Sequence, residues 1–169
     1  MLRCLNVKTN KGFTLIEVLT AIFLIVAGLI GVLSIISQTI SFTSLSSSKL
    51  VASYLAQEGI EIVRNVRDGN WLEQEGWKTG LADGDWQADY NDLALFNYND
   101  NNFLKIDSSG FYSYDSGNNT KFKRKITIKQ ETDAENNEYL KVSVEVMWKQ
   151  IGKDHTVTAQ EYLYNWYGI

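Results

Sequence analysis

The sequence predicts an α+β fold in which one long N-terminal helix packs on a C-terminal antiparallel β-sheet. Three patterns lead to this prediction. Residues 13–40 are mostly apolar and carry one charge, residues 41–68 repeat apolar side chains at helical spacing, and the last third of the chain alternates apolar and polar side chains. A chain of 169 residues is long enough for one domain with a sizeable core and short for two full ones.

The composition excludes several classes of protein. A single cysteine and a single histidine exclude an internal disulfide framework and a multi-cysteine zinc site, and they weaken histidine-based catalysis. The net charge of −4 argues against a protein built mainly to coat nucleic acid. Hydrophobic residues make up 44% of the chain and charged residues 21%, which is the balance of a folded chain and not of a disordered one.

The N-terminal part has the length and charge pattern of a membrane segment. Residues 1–12 carry three basic side chains and no acid. As a helix, the apolar stretch 13–36 would span about 36 Å, against about 30 Å for the hydrocarbon core of a bilayer. The basic flank predicts an N-terminus in the cytoplasm. A cleaved secretory signal would need small residues after the apolar stretch, and a plain anchor would leave Glu17 unexplained.

Residues 11–19, with the sequence KGFTLIEVL, resemble the cleavage and methylation motif of type IV prepilins and pseudopilins. The resemblance implies that a membrane peptidase cuts after Gly12 and methylates the new amine of Phe13. It also implies that Glu17 serves assembly by neutralising the N-terminus of a neighbouring subunit. The lollipop architecture of the family would then divide the chain into a removed leader (1–12), a transmembrane or filament-core helix (13–40), an amphipathic helix packing on the head (41–68) and a globular head (69–169).

Elementary electrostatics agrees with the role that the resemblance implies for Glu17. Cleavage creates a cationic amine at Phe13, one helical turn from the carboxylate, so both groups lie on one edge of the helix. A buried, unpaired carboxylate is costly and a paired one is tolerable, so a subunit docks well only where its amine meets an unpaired Glu17. Cleavage also removes Cys4, the one cysteine of the chain.

The resemblance implies a structural subunit and not an enzyme, with no catalytic residue. Its partners would be other pilin subunits, the prepilin peptidase and the inner membrane, with the head outside the cytoplasm. Residues 52–61 resemble the minor-pilin and pseudopilin branch, so the first interpretation is a minor pilin of an extracellular pilus-like filament. The alternatives are a pseudopilin of a type II secretion or competence machine, with a periplasmic pseudopilus, and a membrane-tethered module that binds DNA or a surface ligand.

The elements of the head follow from periodicity. The amphipathic helix is expected to stop at Gly69, since glycine commonly follows a helix end. Residues 71–102 are predicted to form loops, and residues 103–114 a short hairpin. Three antiparallel strands follow, the last over 155–167, and their apolar face is expected to pack on the helix. The inward rows are Phe122, Arg124, Ile126 and Ile128; Leu140, Val142, Val144, Val146 and Trp148; and Val157, Ala159 and Leu163.

A cluster of acids is a candidate metal site in the head. It consists of Asp83, Asp85, Asp89 and Asp92. Carboxylate oxygens are suitable ligands for calcium, and some pseudopilins bind calcium in a loop of the head, but the spacing departs from that of an EF-hand loop. A solvated acidic loop is therefore the preferred interpretation, and no other cofactor is expected.

The outer face of the first predicted strand is basic. Its lysines are Lys121, Lys123, Lys125 and Lys129. They could bind an anionic polymer, DNA included, with Tyr112 and Tyr114 stacking on bases. An edge strand protected by lysines against aggregation is the preferred interpretation, because cleavage leaves the chain acidic. His155 has no Ser or Cys partner in a recognisable motif and is interpreted as a surface residue in a turn.

Overall fold

The computed structural model of the chain describes residues 12–167. Over this range it contains one α-helix, α1 (Leu15–Leu72), and eight β-strands. The strands are β1 (Gly84–Gln87), β2 (Phe96–Asn97), β3 (Lys105–Ile106), β4 (Tyr112–Ser113), β5 (Asn118–Asn119), β6 (Phe122–Thr132), β7 (Glu138–Gln150) and β8 (Lys153–Tyr164). The chain divides between Ser44 and Leu45 into two compact units, which we name the apolar segment (12–44) and the head unit (45–167).

The apolar segment is helical from Leu15 onward, and all of its residues are exposed. By length and composition, α1 is able to cross a membrane. A continuous apolar surface of this extent marks a region that contacts a membrane or another protein, because water contact with it is unfavourable.

The head unit is built on a five-stranded antiparallel sheet with the strand order β2-β1-β6-β7-β8. The last three strands follow one another along the chain, which confirms the predicted antiparallel sheet. A second, smaller sheet has the order β4-β3-β5, and its β3–β4 pair is the predicted hairpin, with Ile106 opposite Tyr112.

The core of the head unit lies between one stripe of α1 and one face of the large sheet. Alternate residues of β6 and β7 are buried, as their period-two pattern predicts. The helix contributes mainly small and branched side chains, and it approaches the sheet closely at Gly59. A Cβ atom at Gly59 would lie 2.8 Å from Cγ1 of Val144, so this contact requires glycine. The buried helix residues are Ser48, Ala52, Leu55, Ala56, Gly59, Ile60, Ile62, Val63, Arg67, Asn70 and Trp71.

The predicted end of the helix at Gly69 is wrong, because α1 continues to Leu72. The last turn is held by tertiary contacts. The side-chain amide of Asn70 donates hydrogen bonds to the carbonyls of Trp77 (3.3 Å) and Thr79 (2.8 Å), so the following loop folds back on the helix end. These bonds offset the low helix propensity of glycine, which is about 1 kcal/mol below that of alanine.

The prediction of loops over residues 71–102 is wrong at β1 and β2. β1 pairs with β6, with Trp86 opposite Ile126, so β6 is an inner strand and not an edge strand. The predicted lysine-protected edge is therefore wrong as well. The four residues of β1 are too few to show a period-two pattern inside an aromatic loop region. The third strand of the meander also begins and ends earlier than predicted, at Lys153 and Tyr164.

Candidate functional site

The predicted assembly residues lie at the exposed start of α1, where Phe13 is 82% exposed. Thr14 directly precedes the first helical residue, and its Oγ1 accepts a hydrogen bond from the backbone N–H of Glu17 at 3.3 Å. Thr14 thus caps the helix, and this Thr-x-x-Glu spacing is the sequence of a capping box. The negative charge of Glu17 in the first turn is also favoured by the helix dipole. The remaining residues of the predicted leader, 1–11, lie outside the described residues.

Glu17 is the one charged residue between Gly12 and Ser48. Its side chain is exposed, and within residues 12–167 its carboxylate has no salt-bridge partner. The surrounding surface is largely apolar, with the hydroxyls of Thr14 and Thr20 as polar neighbours. A carboxylate in such a surface can pair with a cation that comes from outside the chain, and the pair becomes stronger when both groups leave water.

Several hydroxyl groups of the apolar segment donate hydrogen bonds within the helix itself. The hydroxyls of Thr20 and Thr39 donate to the carbonyls of Ile16 and Ile35, both at 2.9 Å. A hydroxyl that bonds the preceding turn of its own helix can enter an apolar environment without an unpaired polar group. Within the apolar segment, Glu17 is the single charged side chain.

The structure places the four acids of the predicted cluster in two different environments. Asp83 accepts a hydrogen bond from the backbone N–H of Gln130 (2.6 Å), and Asp85 accepts one from the hydroxyl of Thr127 (2.6 Å). Asp83 thus attaches the loop before β1, and Asp85 attaches β1 itself, to the adjacent strand β6. Within residues 12–167 no group of three His, Cys, Asp or Glu side chains is arranged to hold a metal ion. Calcium binding stays a prediction.

Asp89 is buried, which contradicts the expectation of a fully solvated acidic loop. Its carboxylate accepts hydrogen bonds from the backbone N–H of Tyr114 (2.8 Å) and the hydroxyl of Ser113 (2.9 Å). Asp92 in turn accepts a hydrogen bond from the backbone N–H of Asp89 at 2.7 Å. Burial raises the pKa of the Asp89 carboxyl above its ordinary value, although the two hydrogen bonds to the carboxylate oppose this shift.

Most of the lysines in the predicted basic row, of which Lys121 precedes β6, are engaged within the head unit. Lys123 contacts Asp100 at 3.3 Å and Lys125 contacts Glu145 at 3.1 Å. Lys121 donates to Ser48 Oγ at 2.6 Å. Lys129 is exposed and lies opposite a further lysine of β7, Lys141. Counter-charges on the same face weaken the attraction of this row for an anionic polymer.

The aromatic residues suggested as stacking partners lie elsewhere. Tyr112 and Tyr114 pack against the core, and the Tyr114 hydroxyl donates to the backbone carbonyl of Arg124 at 3.0 Å. His155 belongs to β8 and not to a turn. Its ring stacks on Trp148 with centroids 5.3 Å apart, so a half-buried structural position replaces the predicted surface one.

Arg124 is the charged residue whose role the sequence analysis missed. Its side chain is 0% exposed, and its guanidinium donates to the carbonyls of Leu55 (3.2 Å) and Ala88 (2.6 Å) and to the carboxylate of Glu58 (3.0 Å). These bonds join α1, β6 and the loop after β1. The sequence did contain a sign of this role, because Arg124 occupies a position in the buried row of its strand. A charged side chain at such a position is buried only together with hydrogen-bonding partners.

The family model described as "Prokaryotic N-terminal methylation motif" matches residues 7–33. The chain therefore carries the prepilin motif of type IV pilins and pseudopilins at the start of its apolar helix. No curated protein sequence and no solved structure matches the chain. The motif, the apolar helix and the α+β architecture together fit a membrane-anchored pilin-like or pseudopilin protein, which is a class of structural subunits.

Proposed function

We propose that this protein is a minor pilin, a structural subunit that enters a type IV pilus-like filament through its N-terminal helix. One observation carries the proposal: an exposed, apolar helical segment with a single carboxylate in its first turn directly follows a prepilin motif. An apolar segment of this kind can lie in a bilayer before assembly and among other such helices afterwards. The head unit has its own core and remains outside the membrane.

In this proposal, a prepilin peptidase removes residues 1–12 in the cytoplasm and methylates the amine of Phe13. Loss of the three basic leader residues makes extraction from the membrane easier, since a charged flank resists translocation. The new amine is a cation at the start of α1, and Glu17 of a subunit already in place is its partner. Because both charges are expensive to bury alone, the pair selects the docking register.

A pseudopilin of a secretion or competence machine would use the same motif and the same helix. The similarity of residues 52–61 to the minor-pilin and pseudopilin branch is shared by both roles. The location of the mature chain separates them, since a minor pilin is recovered with filaments sheared from the cell surface and a pseudopilin stays in the periplasm. A head that binds DNA is less favoured, because Lys121, just before β6, and Lys123 and Lys125 on β6 are engaged within the head unit.

Processing is tested by mass spectrometry of the mature chain. We expect the mass of residues 13–169 with one added methyl group. Gly12→Leu should leave the precursor uncut in the membrane, because the peptidase site then carries a bulky residue. Gly31→Leu is a matched control, since Gly31 lies in the open surface of the same helix and has no atom near its Cβ direction. An intact Met1 on protein recovered from filaments would contradict the proposal.

The role of Glu17 is tested with Glu17→Leu, and Thr20→Leu is the control from the next turn of the helix. Glu17→Leu should be inserted and cleaved normally but should be depleted from filaments. Loss of one partner of a buried ion pair costs about 3–5 kcal/mol, so incorporation should fall about 100-fold or more. Thr20→Leu should be incorporated normally, because the Thr20 hydroxyl bonds only within its own helix. If Glu17→Leu reached filaments at wild-type abundance, Glu17 would have no role in assembly and would be a residue that the membrane segment merely tolerates.

A further inference from the structure

The large sheet has one long unpaired edge, β8. β7 pairs with β8 along the whole length of the strand, from Tyr139 opposite Tyr164 to Gln150 opposite Lys153. On the other side of β8, no strand follows within residues 12–167. Alternate N–H and C=O groups over twelve residues therefore point away from the sheet. This row of groups is complementary to another extended strand.

The two edges of the sheet differ in their protection. The opposite edge, β2, has two residues and offers almost no template for pairing. The centre of β8 lacks the devices that usually protect a long edge: its pairing with β7 has no bulge, the chain has no proline, and Lys153 and Asp154 lie at the start of the strand, so residues 155–160 carry no Lys, Arg, Asp or Glu. Glu161 does not protect the edge either, since it is bound to Arg64 of α1 at 2.5 Å.

We propose that β8 is a docking strand, to which a different subunit of the same assembly adds an extended strand by main-chain pairing. The inward side chains specify part of the partner. Val157 and Ala159 pack against the core but are only half-buried, so the added strand should cover them with apolar side chains. Its centre should be uncharged, because the middle of β8 is uncharged and β-branched residues pair well across strands.

A second copy of this chain does not fit this edge, a point that rests on the proposed function. Subunits of one filament insert their helices in the same direction. A copy related by rotation about the filament axis would present β2, which offers two residues against the twelve of β8. Two β8 strands paired antiparallel in one continuous sheet are related by a two-fold axis through the sheet. That axis would reverse the direction of the part of α1 packed on the sheet.

Hydrogen exchange of the full mature chain tests the proposal, with the chain purified alone in detergent compared with the chain in its native assembly. In the assembly, alternate amides of β8 should exchange at least about 100-fold more slowly than in the chain alone, while the exchange rates of the β7 amides stay unchanged. Equal exchange of β8 in the two states would overturn the proposal. Protection that arises in the pure chain at high concentration would also overturn it, by identifying a second copy as the occupant. If the chain is missing from every filament and pseudopilus preparation, the proposed function itself fails.

A charge at the edge gives an independent test. Thr158→Lys adds a cation to the middle of β8 on its exposed face, and Ser143→Lys adds the same charge to the same face of β7, one strand inward. Both variants should show the wild-type melting temperature. Thr158→Lys should enter the assembly about tenfold less than wild type, and Ser143→Lys normally. Equal incorporation of the two variants would overturn the proposal.

Discussion

The two parts of α1 share one helical backbone and differ in what surrounds their apolar side chains. Leu29 and Ile30 in the apolar segment are 58% and 63% exposed, whereas Leu55 and Ala56 in the head unit are 3% and 0% exposed. The head unit contains its own partner surface, the large sheet. The apolar segment presents a comparable apolar surface, which no other element within residues 12–167 covers. The difference shows that a hydrophobic helix can be complete in secondary structure and incomplete in tertiary structure.

Polar groups follow the same division. In the apolar segment, the hydroxyls of Thr20 and Thr39 bond to the preceding turn of the helix, and the Glu17 carboxylate has no salt-bridge partner within residues 12–167. In the head unit, polar side chains reach across elements distant in sequence, as Arg124 does to Leu55. Substitutions that break these buried contacts of the head unit should therefore change folding, and substitutions in the apolar segment should change membrane insertion or assembly.

The largest effect on folding is expected for Arg124→Met. The substitution removes three hydrogen bonds that join α1, β6 and the loop after β1, and it leaves two carbonyls without this donor. Breaking a buried pair of this kind costs about 3–5 kcal/mol in the free energy of unfolding. Urea denaturation followed by tryptophan fluorescence measures this cost in the head unit, since all five tryptophans lie there.

The control for this prediction is the next residue on the same strand. Lys125→Met breaks a salt bridge with Glu145 on the solvated face, and such pairs contribute about 0–1 kcal/mol. If Lys125→Met lowered the free energy of unfolding as much as Arg124→Met does, the burial of Arg124 would not explain the effect of its substitution.

The second prediction compares glycines in the two parts of α1. At Gly59 an added Cβ would lie 2.8 Å from Val144 and 3.2 Å from Arg124, whereas at Gly31 it would meet no atom within 4 Å. Gly59→Ala should therefore destabilise the head unit by about 1–3 kcal/mol, despite the higher helix propensity of alanine. Gly31→Ala should leave the unfolding of the head unit unchanged. A head unit that gains stability from Gly59→Ala would contradict the close approach of helix and sheet.

The smallest expected effect is on the pH dependence of folding stability, and its direction depends on whether the carboxyl is buried. Burial raises the pKa of Asp89, so the folded state binds its proton more tightly than the unfolded state does. The contribution of Asp89 to stability is therefore fully present below the ordinary pKa of 3.8 and is lost as the pH rises through the folded pKa. Relative to Asp89→Asn, the wild type should gain stability as the pH is lowered from neutral, as measured by thermal unfolding over about pH 3 to 7.

A carboxyl whose pKa is governed by hydrogen bonds, that of Asp133, should behave in the opposite way. Hydrogen bonds from Asn137 and Glu135 lower the pKa of Asp133, so its contribution is present above the ordinary pKa and is lost as the pH falls. Relative to Asp133→Asn, the wild type should lose stability on acidification. Responses of the same sign at the two positions would show that burial does not govern the pKa of Asp89.

The sequence by itself determined the features that depend on local order along the chain. The prepilin motif, the apolar stretch after it and the alternating rows of β6 and β7 are each readable from neighbouring residues. Periodicity decides these features because a helix or strand face is set by spacing alone. The single charge at Glu17 belongs to the same group, since its meaning comes from the apolar residues around it.

Only the tertiary structure decided which elements become neighbours. The insertion of β1 beside β6 made β6 an inner strand and left β8 as the edge. The contacts of Asn70 extended α1 past Gly69. The burial of Asp89 and of Arg124 also depends on groups that lie more than twenty residues away in the chain. Local spacing carries no information about such distant partners, because their positions are fixed only when helix and sheet share one core.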